Sequence, residues 1–344
     1  PNAMGGREVG GLANMLAAHM DIENPVHRER VQRFWQSPVI ADKGGLKAVD
    51  LFDAMYDGKI KAVWIMATNP VVSLPNADKV RAALEKCELV VVSDCIADTD
   101  TTRLADVLLP SLGWGEKDGT VTNSERRISR QRGFLAAPAQ AKPDWWALSQ
   151  VAQAMGFEGF NYQSPADVFN EHAALSAFEN DASIESGLRD FNLVGLGHLS
   201  LDQYNALQPI QWPVLANDQG TERLFAKGQF YTPNRLARFL PLTSRAPKNA
   251  LSAEYPFVLN TGRIRDQWHT MTRTGLTPRL LQHIGEPYAE LHPNDAKKLL
   301  IQAGDLVEVS SAWGKAVVRA QLSEGQREGS VFVPMHWTGV FTRQ

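Results

Sequence analysis

The segment LVVVSD at residues 89–94 decides the fold class, because four consecutive apolar residues lead directly into two polar ones. A short continuous apolar run is typical of a parallel strand buried on both faces. Similar runs lie upstream, at residues 62–66, and downstream, at residues 106–109 before Pro110. Residues 77–87 have the spacing of an amphipathic helix. This alternation predicts an α/β region built on a parallel sheet.

The segments that flank this region predict helices, a hairpin and an irregular connection. Apolar residues recur at helical spacing over residues 5–20, and Gly5-Gly6 lies where that helix would begin. Asp118-Gly119 is a tight-turn signal followed by alternating residues, which predicts a small hairpin insert near residues 114–132. Helices are expected at residues 144–155 and 165–179. The five prolines of residues 200–250 indicate an irregular connection.

The C-terminal part of the chain is rich in predicted strands. Candidate strands separated by turn residues lie at residues 255–259, 306–310, 315–320 and 329–333. This spacing predicts a compact β barrel. The length of 344 residues suits about two domains at roughly 150 residues each. We therefore expect an α/β domain over residues 1–217 and a barrel domain over residues 218–344.

The composition excludes several classes of protein. Lys and Arg total 35 against 38 Asp and Glu, and the net charge of −3 excludes a nucleic-acid binder held by bulk electrostatics. No apolar run approaches the roughly 18 residues that span a membrane. Cys87 and Cys95 have neither zinc-site spacing nor the number needed for a disulfide scaffold, and the eight histidines have no metal-site spacing. We expect no metal ligand in this chain, and a reducing compartment.

Asp94 is the first candidate binding residue. It lies at the carboxyl end of a predicted parallel strand, where open α/β sheets bind ligands. A carboxylate there can accept hydrogen bonds from ribose hydroxyls or from the N–H groups of a guanine edge. The alternative, that Asp94 caps a helix beginning near Asp98 or Thr101, is about equally compatible with the sequence. No glycine fingerprint of an ordinary NAD site precedes it.

The second candidate is the segment TGRIRDQWHT at residues 261–270, which is followed by Arg273. Gly262 allows a ligand to approach the backbone closely. The arginines suit bidentate contacts with phosphate, and Trp268 offers a stacking face beside the donor His269. The alternative interpretation is a solvated basic loop with a packed tryptophan.

Three further features are weaker on their own. Gly5-Gly6-Arg7-Glu8 could be a helix start that binds an anion, or a glycine-rich turn with an Arg7–Glu8 surface pair. Residues 116–119 indicate no more than a charged hairpin. A lone His336 near a strand end is typical of a structural residue.

Seven segments occur in one order along the chain: PNAMGGREVGG at 1–11, MATNP at 66–70, VVSD at 91–94, ADVLLP at 105–110, EKDGTVTNSERR at 116–127, NTGRIRDQWHTMTRTG at 260–275 and VFVPMHW at 331–337. Taken together they resemble the molybdopterin oxidoreductases of the dimethyl sulfoxide reductase superfamily. PNAMGGREVGG and QWHTMTRTG are most similar to the catalytic subunits of bacterial assimilatory nitrate reductases.

This resemblance implies a cofactor, bis(molybdopterin guanine dinucleotide) with molybdenum, and a C-terminal barrel of the double-psi, dinucleotide-binding type. The implied cofactor-binding residues are Asn69, Ser93, Asp94, Lys117, Asp144, Thr261, Gly262, Arg263, Ile264, Arg265, Asp266, Gln267, Trp268, His269 and Thr270. The implied substrate residues are Arg7, Met335 and His336. The resemblance implies no catalytic side chain and no metal ligand within this chain.

The resemblance also implies a reaction, the reduction of nitrate to nitrite with electrons from a donor protein or subunit. It implies a cytoplasmic enzyme that binds neither membranes nor nucleic acid. Such enzymes hold a [4Fe-4S] cluster on an N-terminal cysteine motif that is absent here. We therefore expect a C-terminal part of a catalytic subunit, with its barrel truncated, that is inactive alone. Formate dehydrogenase is an alternative because its TGR…WH loop is similar. A non-catalytic subunit of a respiratory complex is another, although such a relic would not need Asp94, Arg263, Trp268 and His269.

Overall fold

The computed structural model describes residues 2–181, 188–216, 219–335 and 337–341. The α-helices are α1 (Ala3–Glu8), α2 (Pro25–Trp35), α3 (Ala48–Tyr56), α4 (Pro70–Ser73), α5 (Ala77–Lys86), α6 (Asp144–Ala154), α7 (Pro165–Ala177), α8 (Leu201–Ala206), α9 (Pro278–Leu281) and α10 (Pro293–Lys298). The strands are β1 (Ala62–Met66), β2 (Leu89–Asp94), β3 (Val107–Pro110), β4 (Gly119–Thr122), β5 (Arg127–Gln131), β6 (Ile210–Gln211), β7 (Val258–Gly262), β8 (Tyr288–Leu291), β9 (Leu306–Ser311), β10 (Gly314–Leu322) and β11 (Ser330–Pro334). None of these helices is long and apolar enough to cross a membrane.

The predicted α/β region is confirmed. Strands β1 and β2 pair in parallel, with Ala62 opposite Leu89 and Met66 opposite Ser93, and the sheet order is β1-β2-β3. Val90 and Val92 on one face of β2 and Ser93 on the other face are buried, as a strand covered on both faces requires. Helix α5 lies in the connection between β1 and β2, where the sequence predicted it. The parallel pairing brings the carboxyl ends of β1 and β2 to the same edge of the sheet.

The C-terminal strands form a five-stranded mixed sheet in the order β7-β11-β8-β10-β9. Strand β11 pairs in parallel with β7 and antiparallel with β8, and it supplies Val331 to a small core with Ala289, Leu291, Val318 and Ala320. Strand β8 was not predicted. The strand predicted at residues 255–259 begins three residues later, at Val258, because a proline at 256 has no N–H to donate to a ladder.

The chain divides into two compact units that do not follow its order. The first unit contains residues 1–51 and 109–241, and the second contains residues 52–108 and 242–344. Each unit has its own apolar core; in the first, Phe191, Leu193 and Tyr204 are among the most buried side chains. The predicted domain boundary between residues 217 and 218 lies outside the described residues, and it stays a prediction.

The predicted hairpin is confirmed, but its turn lies elsewhere. Strands β4 and β5 pair antiparallel, and the turn spans residues 123–126 rather than Asp118-Gly119, since Asp118 precedes β4 and Gly119 begins it. The Asn123 carboxamide oxygen accepts hydrogen bonds from the backbone N–H groups of Glu125 and Arg127, at 3.0 Å each. Arg126 adopts a left-handed backbone with φ 68°. An asparagine side chain that mimics a backbone turn is therefore the actual signal.

The prediction of one helix over residues 5–20 is wrong. Helix α1 begins at Ala3 and ends at Glu8, so Gly5 and Gly6 lie inside it rather than at its start. The helix stops before Gly10, whose φ is 75° and where a Cβ would come within 2.6 Å of the Ala17 backbone nitrogen. The close approach of these two backbone segments explains the break.

Candidate functional site

The carboxyl end of β2 presents one carboxylate with a free oxygen. Asp94 is the last residue of β2 and is half-buried, and its Oδ1 accepts a hydrogen bond from the Ile96 backbone N–H at 3.0 Å. Its Oδ2 has no partner among the residues that the structure describes. Ser93 is buried, and its Oγ accepts a hydrogen bond from Trp64 Nε1 at 2.7 Å. Of this predicted pair, Asp94 is therefore the residue available to a ligand.

The alternative that Asp94 caps a helix is wrong. The next helical turn is a short 3₁₀ segment at Thr102–Leu104, and it has no contact from Asp94. Thr99 and Thr102 bond to each other and organise that turn instead. The bond from Ile96 closes only a local turn, which frees the strand end for another partner.

Asn69 lies at the carboxyl end of β1, immediately before α4. Its side chain is buried and its Oδ1 accepts a hydrogen bond from the Thr101 hydroxyl at 2.6 Å. The Nδ2 group has no hydrogen-bond partner in the described part of the chain. Asn69 thus holds the segment after β2 through its oxygen and keeps its N–H₂ group available. The sequence alone gave no signal for this residue beyond the family resemblance.

The loop over residues 261–270 divides into outward and inward side chains. Ile264 and Gln267 are buried, and Gln267 bonds to the Thr274 hydroxyl at 2.7 Å and more weakly to the Leu280 carbonyl. These inward residues fix the loop on the second unit. The side chains that point outward are Thr261, Arg263, Arg265, Trp268 and His269.

The two outward arginines have different environments. The Arg263 guanidinium lies over the Trp268 ring, 4.1 Å from its centroid, and has no carboxylate partner within the described residues. Arg265 instead donates two hydrogen bonds to Asp266, at 2.9 and 3.0 Å, and the pKa of that carboxyl is lowered chiefly by this pairing. His283 also contacts Asp266, at 2.7 Å. Arg263 is therefore the better placed of the two to bind a phosphate.

Trp268 is not the packed tryptophan of the alternative interpretation, since 61% of its surface is exposed. The His269 ring meets it edge-on, with centroids 4.5 Å apart. His269 and Met271 both adopt left-handed backbones, at φ 41° and 57°. Non-glycine residues in that region carry backbone strain, and such strain concentrates at ligand sites.

Arg273 joins this loop to the end of β2 within the second unit. Its Nη2 group donates a hydrogen bond to the Cys95 sulfur at 2.8 Å, one residue beyond Asp94. Met335, directly after β11, donates its backbone N–H to the Gly262 carbonyl at 3.0 Å. The buried indole N–H of Trp337 has no partner among the described residues. The Arg273–Cys95 hydrogen bond therefore links the two sites predicted from the sequence, the end of β2 and the loop over residues 261–270.

Lys117 and Asp144 belong to the first unit and lie together there. The Lys117 ammonium is 3.6 Å from Asp144 Oδ2, and the Ser111 hydroxyl donates to Asp144 Oδ1 at 2.8 Å. A lysine ammonium has three donors, so Lys117 can hold Asp144 and still bind an acceptor on a ligand. The predicted cofactor contacts of both residues stay predictions.

The Gly5-Gly6-Arg7-Glu8 segment is neither a helix start nor a turn with an Arg7–Glu8 surface pair, because it lies inside α1. The Gly6 N–H bonds to the Asn2 carbonyl at 3.0 Å, so it does not form a helix N-terminus open to an anion. Glu8 is buried, and it accepts hydrogen bonds from Trp212 Nε1 at 2.6 Å and Thr122 Oγ1 at 2.8 Å rather than pairing with Arg7. Arg7 itself is exposed. Sequence reasoning missed Glu8 because its donors lie 114 and 204 residues away.

A cavity of about 110 Å³ lies beside α1 in the first unit. Its polar lining includes Glu8, Thr122 and His172, and its apolar lining includes Ile128 and Phe169. The Nε2 atom of His172 is buried without a partner. Burial lowers the pKa of His172 to about 4, and burial likewise raises the pKa of Glu8.

His172 makes stability depend on pH in a defined direction. In the unfolded chain the pKa of this histidine is about 6.5, whereas in the folded protein its pKa is about 4. The free energy of unfolding should therefore fall as pH drops from 6.5 to 4, by up to about 3 kcal/mol, and level off below that. Urea titrations of the wild type and of His172→Leu across this range test the assignment. An equal acid-side loss in the variant would contradict it.

Within the described residues no group of three His, Cys, Asp or Glu side chains could hold a metal ion. The predicted substrate residue His336 lies outside the described residues. For the second unit, the set of groups suits a dinucleotide. It comprises a carboxylate oxygen, a guanidinium and an indole N–H that have no polar partner within the described ranges, and an exposed indole face, which suit base, phosphate and pterin groups. The residues present therefore fit the implied cofactor.

Comparison with known proteins agrees with this chemistry. Residues 3–154 match the molybdopterin oxidoreductase family, and residues 257–344 match the molybdopterin dinucleotide-binding domain. The two matches together span more than two thirds of the chain, which therefore belongs to the molybdopterin oxidoreductases.

Individual relatives point in the same direction. The chain is 51% identical to a nitrate reductase of Klebsiella oxytoca, over 100% of this chain and 39% of that protein. It is 46% identical to one of Shewanella frigidimarina, over 99% of this chain and 38% of that protein. It is 32% identical to the F420-dependent formate dehydrogenase subunit alpha of Methanocaldococcus jannaschii, over 98% of this chain and 47% of that protein. The chain thus spans less than half the length of each relative.

A solved structure supports the fold alone. Acetylene hydratase from Pelobacter acetylenicus superposes with a TM-score of 0.59 at 19% identity, over 85% of this chain and 40% of that one. The fold of most of this chain therefore recurs in another chain of low sequence identity.

Proposed function

We propose that this chain is part of a molybdenum-dependent nitrate reductase and binds bis(molybdopterin guanine dinucleotide). The observation that carries the proposal is the junction at Arg273 and Cys95. It links the end of β2, where Asp94 Oδ2 has no partner among the described residues, to the loop that bears Arg263 and Trp268. A site with one anion for a guanine edge, one cation for a phosphate and one ring for stacking suits a guanine dinucleotide.

When bound, the molybdenum centre supplies two electrons for oxygen-atom transfer, so that nitrate and two protons yield nitrite and water. The roles of this chain are to hold and orient the cofactor and to place cationic groups near an anionic substrate. Asn69, Asp94 and Arg263 would serve the first role, and Arg7 the second. Met335 is proposed near the substrate through its position after β11.

The choice of nitrate is supported by the 51% and 46% identities to proteins named nitrate reductase. A formate dehydrogenase is the second candidate because a named subunit alpha aligns along 98% of the chain at 32% identity. An electron-donor protein and, for an assimilatory enzyme, a cytoplasmic setting belong to the proposal. So does an iron–sulfur cluster on polypeptide outside this chain.

The test compares two reactions of the full-length polypeptide that contains this chain. Purified holoenzyme with reduced viologen should form nitrite from nitrate, and with formate and oxidised viologen it should not reduce the viologen. Residues 1–344 alone, supplied with cofactor and the same donor, should form no nitrite. Viologen reduction by formate without nitrite formation would overturn the proposal in favour of the second candidate.

A further inference from the structure

Both ends of α1 are tied to one residue of the hairpin. The Asn2 carboxamide oxygen accepts the backbone N–H of Thr122 at 2.8 Å, and the Glu8 carboxylate accepts its hydroxyl at 2.8 Å. The second carboxylate oxygen of Glu8 accepts Trp212 Nε1 at 2.6 Å. Asn2 precedes the helix and Glu8 ends it, so these three bonds hold α1 at both ends.

Helix propensity contributes little to holding α1, and its apolar packing comes from Met4, which contacts the core of the first unit. Six residues are too few for a helix that is stable by itself, and two of them are glycines. The cavity of about 110 Å³ removes packing from one side. A Cβ on Gly5 would collide with Asn2 Oδ1, whereas a Cβ on Gly6 would meet nothing within 4 Å. Gly5 is therefore needed for the Asn2 bond itself, and the helix depends on its polar contacts.

The residue beside this anchored carboxylate is Arg7. Its side chain is exposed and has no ion pair or hydrogen bond among the described residues. Consecutive helical residues leave the helix about 100° apart, so a buried Glu8 sets the direction in which the exposed Arg7 side chain leaves α1. An unpaired guanidinium on a fixed helix is suited to a planar oxyanion such as nitrate.

We propose that Glu8, through Thr122, is a positioning residue that sets the pose of Arg7 for the anionic substrate. This inference rests on the proposed function, since it takes nitrate as that substrate. The neighbouring groups that face Glu8 are Thr122, Trp212 and, at longer range, His19. A glutamine at position 8 can accept from Trp212 Nε1 through its oxygen and donate its N–H₂ group to the Thr122 hydroxyl, so the role requires both contacts of residue 8 and not its charge.

The experiment uses the full-length holoenzyme and the pair Thr122→Val and Thr122→Ser. The valine variant removes the hydroxyl at nearly constant shape, and the serine variant keeps it. We expect Thr122→Val to raise KM for nitrate by about tenfold to a hundredfold with a small change in kcat, because misplacement of a binding group has effects of that size. Thr122→Ser should remain near wild type. Glu8→Ala should behave like Thr122→Val, and Glu8→Gln should restore KM.

Two further measurements separate positioning from general damage. Hydrogen exchange of the α1 amides should accelerate in Thr122→Val but not in Thr122→Ser, whatever the enzyme reduces. In an Arg7→Ala background, Thr122→Val should add little to KM, because the tether acts through Arg7. Unchanged α1 exchange, additive KM effects, or an unchanged KM in Arg7→Ala would each overturn the inference. A wild type that does not reduce nitrate would overturn the proposed function, and the exchange data would then still decide whether the tether exists.

Discussion

Replacing Asp94 by Asn is expected to reduce binding of the guanine dinucleotide about tenfold to a hundredfold. The free Oδ2 of Asp94 is the proposed acceptor of a base or ribose donor, and a charge-assisted hydrogen bond is worth about 1.5–3 kcal/mol. Asparagine keeps an oxygen for the Ile96 N–H but presents an N–H₂ group where the ligand needs an acceptor. Cofactor supplied at limiting concentration should therefore leave the variant with less molybdenum than the wild type.

Asp98→Asn is the matched control for Asp94→Asn. Asp98 lies four residues further along, is exposed, and pairs with Arg103 at 2.6 Å rather than facing an open site. The control should retain wild-type molybdenum content, and both variants should keep the wild-type circular dichroism spectrum. Equal molybdenum content in Asp94→Asn and in the wild type would contradict the role of Asp94.

Replacing Arg263 by Lys is expected to lower cofactor retention by about tenfold or more. Lysine keeps the charge but loses the planar fork that binds phosphate bidentately, and it loses the stacking on Trp268. Dissociation of guanine nucleotide during dilution, followed by chromatography of the released base, measures this effect. Retention should fall further in Arg263→Ala.

Arg265→Lys is the matched control, because the Arg265 charge is already paired with Asp266. It should change retention much less than Arg263→Lys. The sequence treated these two arginines alike, and only the structure distinguishes them. If both substitutions reduced retention equally, the Asp266 pairing would not be the deciding factor. If neither did, the loop would be merely solvated, as the alternative interpretation holds.

The elements that the sequence predicted well are those whose signal is local. Strands β1 and β2 are short apolar runs, and α5 has a regular apolar stripe, so neighbouring residues alone determine them. Strand β8 was missed because a four-residue strand carries too little alternation to be distinguished from a loop. The prediction of a helix over residues 5–20 was wrong because apolar spacing carries no information about the close backbone approach at Gly10.

The candidate site divides in the same way. Asp94 could be predicted because it follows a recognisable strand directly in the sequence. The arginine loop could be predicted because its residues are consecutive. The roles of Glu8 and Cys95 could not, since each is defined by a partner more than 100 residues away. Asn69 and Asp144 came only from the family resemblance, because a single amide or carboxylate carries no spacing signal of its own. Tertiary contacts, which a local pattern does not encode, decide these residues.

The most direct test of the central claim is the molar ratio of guanine nucleotide to molybdenum in the purified full-length protein. Acid hydrolysis releases the nucleotide, and chromatography identifies its base and measures its amount. Mass spectrometry measures the amount of molybdenum. A bis(guanine dinucleotide) cofactor predicts a ratio of about two in the wild type, and less bound nucleotide per protein in Arg263→Ala. A protein that contains neither molybdenum nor nucleotide, or whose nucleotide content is unchanged in Arg263→Ala, would contradict the account.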